Sequence, residues 1–383
     1  MKNNRTFLDK LLDGAEVKWK PLGKITDIKT GQPVSKHSIS QNPGIYPVIN
    51  SGREPLGFIN EWNTEDDPIG ITTRGAGVGS ITWQEGKYFR GNLNYSVTIK
   101  SQNELSIRFL YHILLHFQKE IHNLCSFTGI PALNASELKK LIIPVPPLHI
   151  QTEIVRILDT LTALTSELTS ELILRQKQYE YYREKLLSFD SLERLNEGGA
   201  KKKVIDVAIY AKSRINVNML NSDNYVGVDN LLQNKMGKTV SNYVPLEGSF
   251  IEYIPNDILI GNIRPYLRKI WQADRKGGTN GDVLVIRSID KNISPRYLYH
   301  ILADESFFEY NTKYSKGAKM PRGDKSAILQ YEFYVPPLEE QHRIVSILDK
   351  FETLTNSITE GLPLAIEQSQ KRYEYYRELL LNF

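Results

Sequence analysis

One long segment of this chain is written twice. Val145–Phe189 reads VPPLHIQTEIVRILDTLTALTSELTSELILRQKQYEYYREKLLSF, and Val335–Phe383 reads VPPLEEQHRIVSILDKFETLTNSITEGLPLAIEQSQKRYEYYRELLLNF. Both copies open on a proline pair, run through a helical pattern and close on YEYYRE with a Leu-rich tail. A repeat of this length dictates the architecture before any single motif is considered. In the first copy Ile150, Ile154, Ile157, Leu161, Leu164 and Leu168 alternate steps of four and three, the heptad spacing that keeps apolar side chains facing a partner helix. Tyr179, Tyr182 and Leu186 resume it, and Pro146 and Pro147 stop the helix extending backwards. About 38 helical residues would span ~57 Å, too long for the interior of a small core.

The second copy offers the partner. Ile344, Ile347, Phe351, Leu354 and Ile358 keep the seam, then Gly361 and Pro363 interrupt it, because glycine ends helices and proline restarts them. The pattern predicts a break there, a last helix over Leu364–Leu381, and antiparallel pairing of the two copies. The tetrapeptide TSEL occurs in tandem, at Thr165–Leu168 and Thr169–Leu172. Four residues lengthen a helix by ~6 Å and turn its seam by about 40°, which suits a spacer whose length matters and equally an ordinary stutter.

The rest of the chain repeats as well. Asp67–Trp83 (DPIGITTRGAGVGSITW) aligns with Asp257–Trp271 (DILIGNIRPYLRKIW), Arg108–Leu114 (RFLYHIL) with Arg296–Leu302 (RYLYHIL), and Gly129 and Pro131 with Gly317 and Pro321. Phe7, Leu8, Leu11 and Leu12 predict a short N-terminal helix ended by Gly14. Ile45–Ile49, Ile69–Thr73, Ser80–Trp83 and Tyr95–Lys100 read as strands. Gly31–Pro33, Asn42–Gly44 and Ser51–Gly52 read as turns, and Ile107–Leu124 as one helix with Leu110, Leu114 and Phe117 inward. Strands cluster rather than alternate with helices, so the class is α+β. The expected organisation is a first domain over 1–145, a helical spacer over 146–189, a linker over 190–203, a second domain over 204–335 and a second spacer over 336–383, the halves related by a pseudo-two-fold axis. The frames match but Arg53–Thr64 and Asn218–Asn242 have no counterparts, which suits two domains binding different versions of one kind of ligand.

Composition excludes several classes. A single cysteine, Cys125, rules out a disulfide framework and a Cys-based zinc site. The opening MKNNRTFLDKLLDG has no secretory signature and no apolar run reaches 18 residues, so a cytoplasmic chain without a membrane span is expected. Arg74–Ser80 (RGAGVGS) contains GxGxG, but no acidic residue stands where a ribose ligand would need it and a strand follows, so a hairpin is the better reading than a cofactor loop. No P-loop, no HExxH and no Asn/Asp-Pro-Pro-aromatic motif occurs, and His37 and His112 read as surface or core residues. No catalytic residue, metal ligand or cofactor site is expected on this chain.

The net charge of +4 is small, but basic residues concentrate. Lys313, Lys316, Lys319 and Arg322 share one loop-like stretch, and Arg264, Arg268 and Lys269 surround Tyr266. In the first domain Arg53, Arg74, Lys87 and Arg90 accompany Asn92 and Asn94. Arg, Lys and Asn on loops are the residues that contact phosphates and base edges, so these are the candidate DNA-binding residues. Tyr179, Tyr181, Tyr182 and Arg183, with Tyr373, Tyr375, Tyr376 and Arg377, are candidates either for docking a partner or for closing the ends of the paired helices.

Laid out in this way, the full length resembles the DNA-specificity subunit of a type I restriction–modification system. The resemblance rests on the VPPL lead-in to each helix, the YEYYRE tails, Ile258–Trp271, and Gly281–Arg287 (GDVLVIR); the tandem TSEL and the broken SITEGLPLAIE helix resemble one subgroup. It implies two target-recognition domains, each reading half of a split asymmetric site in double-stranded DNA, and a coiled coil that sets the gap. It also implies two methyltransferase subunits that modify adenine N6 and translocase–nuclease subunits, with S-adenosylmethionine, ATP and Mg on those partners and none on this chain. Two rivals are a catalytic DNA methyltransferase, which would bind S-adenosylmethionine alone, and a coiled-coil protein scaffold, which would bind no duplex. The specificity subunit of a related bifunctional restriction system would share this fold. If the helices act as a ruler, deleting one TSEL changes the preferred gap between half-sites in the methylation pattern; an unchanged gap contradicts the ruler.

Overall fold

The computed structural model describes residues 7–52, 54–188, 199–357 and 359–383. Arg53, Phe189, Ile358 and residues 190–198 of the expected linker lie outside the described residues. The strands that matter below are β1 (Thr26–Thr30), β2 (Ile69–Thr72), β3 (Ile81–Trp83), β4 (Asn94–Ile99), β5 (Ala208–Tyr210), β6 (Ile258–Gly261), β7 (Ile270–Gln272) and β8 (Val283–Ser288). The helices are α1 (Ile107–His116), α2 (Leu148–Leu187), α3 (Pro295–Leu302), α4 (Leu338–Asn356) and α5 (Leu362–Leu381). The chain divides into two compact units. One holds Met1–Leu168 with Ile366–Phe383, the other Thr169–Ala365. Each unit therefore contains a mixed α+β body, part of α2, and helical sequence from the other copy of the repeat.

Within the first unit an antiparallel sheet runs in the order β1-β4-β2-β3. Ile69, Ile71 and Val97 face a core completed by Phe109, Leu110, Ile113 and Leu114 of α1. The second unit repeats this plan as β5-β8-β6-β7, with Ile258, Ile260, Leu284 and Ile286 against Tyr297, Leu298 and Ile301 of α3. A smaller sheet lies beside each. In the first unit it joins Phe58–Ile59, Pro43–Ile49 and Phe89–Arg90; in the second it joins Arg214–Asn216, Ser249–Tyr253, Gly277–Thr279 and Tyr225–Val226. Residues 54–64 and Asn218–Asn242, unmatched in sequence, adjoin these smaller sheets, so the frames agree and the side sheets differ.

The helix pairing is antiparallel in each unit. In the first, Ile150, Ile154 and Leu158 of α2 share a core with Leu380 and Leu381 at the far end of α5. Thr165 and Ser369 place their hydroxyls 2.8 Å apart. In the second, Tyr179 and Tyr182 stack on Phe351 of α4, with ring centroids 6.0 and 5.8 Å apart, and Leu186 and Leu187 pack on the core that holds Ile344 and Leu348. The predicted break is present: α4 ends at Asn356 and α5 begins at Leu362, with Gly361 at φ +83°. A β-carbon on Gly361 would also meet the carbonyl oxygens of Thr353 and Leu354 at 2.5 and 2.8 Å. Glycine is the residue this turn admits.

Several expectations need correction. The buried line at the start of α2 is Ile150, Ile154 and Leu158, a spacing of four, while Leu164 is exposed. There the helix lies on the face of a globular body, and i±4 ridges serve that contact better than a heptad seam. Ile107–Leu124 is two helices, α1 and Gln118–Asn123, because Phe117 leaves helical geometry. Asn42 caps the helix Lys36–Gln41, and Pro43 and Gly44 already belong to a strand. Ala200–Lys203, expected in the linker, is a strand paired with Glu332–Val335, matching the pairing of Lys18–Pro21 with Ile142–Val145 in the first unit. Two of its lysines are held by acidic partners: Lys201 lies 2.8 Å from Glu332 and Lys202 2.6 Å from Asp290.

What joins each body to its long helix is polar, and it is the same twice. Gln151 is fully buried. Its Oε1 accepts from the Ser106 N–H at 2.8 Å, and its Nε2 donates to the carbonyls of Glu104 and Pro146, each at 2.8 Å. Gln341, equally buried, accepts from the Ser294 N–H at 2.8 Å and donates to Asn292 and Pro336 at 2.9 and 2.8 Å. Two turns further on, Asp159 receives Arg108 and His112, each at 2.8 Å. Asp349 likewise receives Arg296 and His300, each at 2.8 Å. Burial holds both imidazoles below their ordinary pKa, so at neutral pH each is a neutral donor to its carboxylate. Burial alone would raise the Asp349 carboxyl, but His300 and Arg296 hold it below its usual range. Gln341→Leu would leave three backbone groups buried without partners. It should cost about 3 kcal/mol or more, read as a lower urea midpoint; an unchanged midpoint would show that the amide carries no load.

Candidate nucleic-acid interface

Three loops meet at one point of each unit. In the first unit they are the hairpin turn between β2 and β3, the turn Gly91–Leu93 before β4, and the excursion Ser126–Ala132. The Thr73 N–H donates to the Leu93 carbonyl at 2.9 Å, Leu133 N–H to Thr73 at 2.8 Å, and Gly75 N–H to Pro131 at 2.9 Å. Ser126 and Ala132 close their loop with mutual bonds of 2.8 and 3.0 Å. The second unit repeats the junction bond for bond. Asn262 N–H donates to Asp282 at 2.8 Å, Gly323 to Asn262 at 3.1 Å and Arg264 to Pro321 at 2.7 Å, and Lys316 and Arg322 exchange two bonds of 2.8 Å. By this register Pro131 answers to Pro321 as expected, but Gly317 answers to Phe127 and Gly129 to Lys319, correcting the sequence alignment by two places. Gly75 and Arg264 occupy one position, at φ +93° and +53°. Glycine takes that conformation freely, whereas an arginine there costs roughly 1 kcal/mol. The run RGAGVGS is therefore a hairpin connection, with β2 and β3 antiparallel on either side.

The backbone is shared, but the side chains on it are not. In the second unit Arg264, Tyr266, Lys316, Lys319, Met320 and Arg322 are exposed. The Arg322 guanidinium donates to the Asp282 carboxylate at 2.9 Å, and Lys316 pairs with Asp324. Arg268 is held by Glu305, and the Lys269 ammonium donates to the Val228 carbonyl at 2.7 Å; these two anchor the hairpin. Lys313 ends the helix Glu305–Lys313 with its ammonium 5.7 Å from the Tyr314 ring. In the first unit Arg74 and Asn92 are exposed, and the excursion presents Phe127 and Ile130, 54% and 64% exposed, at the positions of Gly317 and Met320, with Ser126 and Gly129 at those of Lys316 and Lys319. Ala132 stands at the position of Arg322, and Leu93 at that of Asp282.

Two candidates are inside the fold. Arg90 is buried and donates to the carbonyls of Ile69, Tyr95 and Asp67 at 3.0, 3.1 and 2.7 Å, and to Asn94 Oδ1 at 2.7 Å. Asn94 is wholly buried. Both tie the two sheets of the first unit together. Lys87 lies 4.4 Å over the Trp62 ring and 3.6 Å from Glu65, on the side sheet.

The YEYYRE tails divide in the same way. Arg183 is buried: it donates to the His300 carbonyl at 2.6 Å and to the Tyr179 hydroxyl at 3.0 Å, and stands 3.3 Å from Asp304. Tyr373 and Tyr376 pack on the core of the first unit, and Arg377 lies over the Tyr373 ring at 5.6 Å. Tyr181 and Tyr375 face outward, 57% and 63% exposed, and Tyr182 is exposed at its edge. His300, Asp349 and Glu352 place ligand atoms close enough together for a metal. Arg296 already donates to both carboxylates, at 2.8 and 2.6 Å, so a guanidinium fills the cation's place.

Gln151, Gln341, Asp159, Asp349 and Asp282 were not singled out from the sequence. The glutamines and the first two aspartates recur at matched places in the repeat (VPPLxxQ and ILD), which was the available signal. Asp282 lies inside the GDVLVIR run, but nothing in that run points to Arg322.

A family model described as the type I restriction modification DNA specificity domain matches this chain twice, over residues 15–175 and 208–368. The chain belongs to this family. A putative type I restriction enzyme specificity subunit of Haemophilus influenzae is 40% identical, with all of both chains covered. The specificity subunit of the type I restriction enzyme EcoR124I/EcoR124II of Escherichia coli is 33% identical over 99% of this chain and 97% of its own. The crystal structure of a type I restriction–modification S subunit from M. genitalium shares the fold, with a TM-score of 0.65 at 18% identity over 96% of this chain and 97% of that one. Each specificity-domain match takes in one three-loop junction; the first runs on to residue 175 of α2, and the second through all of α4 into α5. Among the described residues no helix is long and apolar enough to cross a membrane.

Proposed function

We propose that this chain is the sequence-specific DNA-binding subunit of a type I restriction–modification complex, with each unit reading one half of a split, asymmetric site. The observation that carries this reading is the junction of three loops, identical in backbone bonding and different in every exposed side chain. A constant frame with exchanged side chains is what two readers of unlike half-sites require. The helices act as the spacer: α2 is one helix of 40 residues that enters both units, and the two tandem TSEL repeats lie along it.

The chemistry belongs to partners. Two methyltransferase subunits would transfer a methyl group to adenine N6, and translocase–nuclease subunits would cut, with S-adenosylmethionine, ATP and Mg bound on those subunits and not on this one. The GxGxG run serves a hairpin, which speaks against a cofactor loop. Tyr181 and Tyr375, outward-facing on tails otherwise turned inward, are the residues we assign to methyltransferase docking. The assembly would work in the cytoplasm, where its DNA is.

Arg264, Lys316 and Lys319 contact phosphates in this reading. Replacing Lys316 and Lys319 by glutamine in the complex with its methyltransferase should lower the slope of log affinity against log salt by about two. An unchanged slope would make the cluster a solvated face, and failure of the complex to bind any duplex would favour a protein scaffold instead.

A further inference from the structure

We infer that Arg322 is the specificity-determining residue of the second unit and reads a guanine, with Asp282 as its positioning residue; this rests on the DNA-reading function proposed above. Arg322 sits on the excursion that ends the three-loop junction, its backbone fixed by the two bonds it exchanges with Lys316. Its side chain is 59% exposed, yet one terminal nitrogen, Nη2, is held 2.9 Å from Asp282 Oδ1. Among the described residues no other hydrogen bond engages that guanidinium. Nη2 keeps its second hydrogen and Nη1 keeps both, so one edge of the fork remains free and outward.

An exposed ion pair of this kind contributes little to folding. Here it does something else: it removes rotamer freedom from a long side chain before any ligand arrives. A fork fixed in direction is suited to a planar pair of acceptors, and in a DNA groove the guanine O6 and N7 are that pair. A phosphate contact needs no such aim, and the neighbouring Lys316, Lys319 and Arg264 serve that purpose. Asp282 is not chosen for the frame, since its share of the junction is made by its carbonyl oxygen; in the first unit Leu93 does the same. The side-chain pair Arg322–Asp282 is replaced there by Ala132 and Leu93. The guanine reading is thus confined to one unit, and only one half-site should depend on it.

The test uses the full chain purified with its methyltransferase, and duplexes randomised through both half-sites. The wild-type complex, Arg322→Ala, Arg322→Lys and Asp282→Asn are compared by selection and sequencing, with melting temperature as a check on folding. Arg322→Ala should lose about tenfold or more of its discrimination at one G·C pair in one half-site and leave the other half-site intact. Replacing that guanine by 7-deazaguanine, which lacks N7, should weaken the wild type and leave Arg322→Ala unaffected. Arg322→Lys should recover part of the preference. Asp282→Asn should reduce discrimination at the same base pair without changing affinity for unrelated duplex. Equal weakening on every sequence would make Arg322 a phosphate contact and overturn the inference while leaving the DNA-reading function in place. A wild-type complex that selects no sequence would overturn both.

Discussion

A buried amide at the start of each long helix holds the rest in register. Gln151 and Gln341 each bridge the residue before the helix and the loop that caps α1 or α3, all through backbone groups. No solvent reaches either side chain, so a missing bond could not be replaced by water. The carboxylate two turns later, Asp159 or Asp349, adds a second fixed point through an arginine and a neutral histidine. Two polar fixings on one helix face suppress rotation as well as separation, which apolar contacts alone would resist less. A reader that must meet a DNA groove at a set distance and phase needs that stiffness, since helical length is translated into half-site spacing only if the body cannot turn on its rod.

Much of this was legible in the sequence because it is written twice. The repeat revealed the long helices, the break at Gly361 and Pro363, the two α+β bodies and the hairpin reading of RGAGVGS. Places where sequence reasoning failed share a physical cause: it sees residue type, not direction. Arg90 and Asn94 have the composition of a DNA-reading loop, but Arg90 donates to carbonyls between two sheets and Asn94 accepts from it. Arg183 and Arg377 look like docking residues within YEYYRE, but Arg183 caps the carbonyl end of α3 and Arg377 lies along Tyr373. The heptad seam was extended into the first turns of α2, where the neighbour is a globular face and the buried spacing becomes four.

The exposed platform was half legible. Its cations, Arg264, Lys316, Lys319 and Arg322, stand out by charge, and the structure places their two segments in hydrogen-bonded contact although they are far apart in sequence. The apolar tip of the first unit, Phe127 and Ile130, carries no charge signal and passes unnoticed in a search for basic clusters. The contrast between the two tips is the physical content of a split site. One frame carries cations and a buttressed arginine, the other carries apolar side chains suited to different base edges.

The central claim is that two different readers on paired helices act together on one split sequence. The most direct measurement is a genome-wide map of modified adenines in a host lacking other adenine methylation, with this chain expressed beside its methyltransferase. The account predicts a single bipartite motif, with unlike halves at a fixed gap and one methylated adenine on each strand. A soluble, co-purifying complex that leaves the genome unmodified would contradict it, as would methylation at a single undivided site.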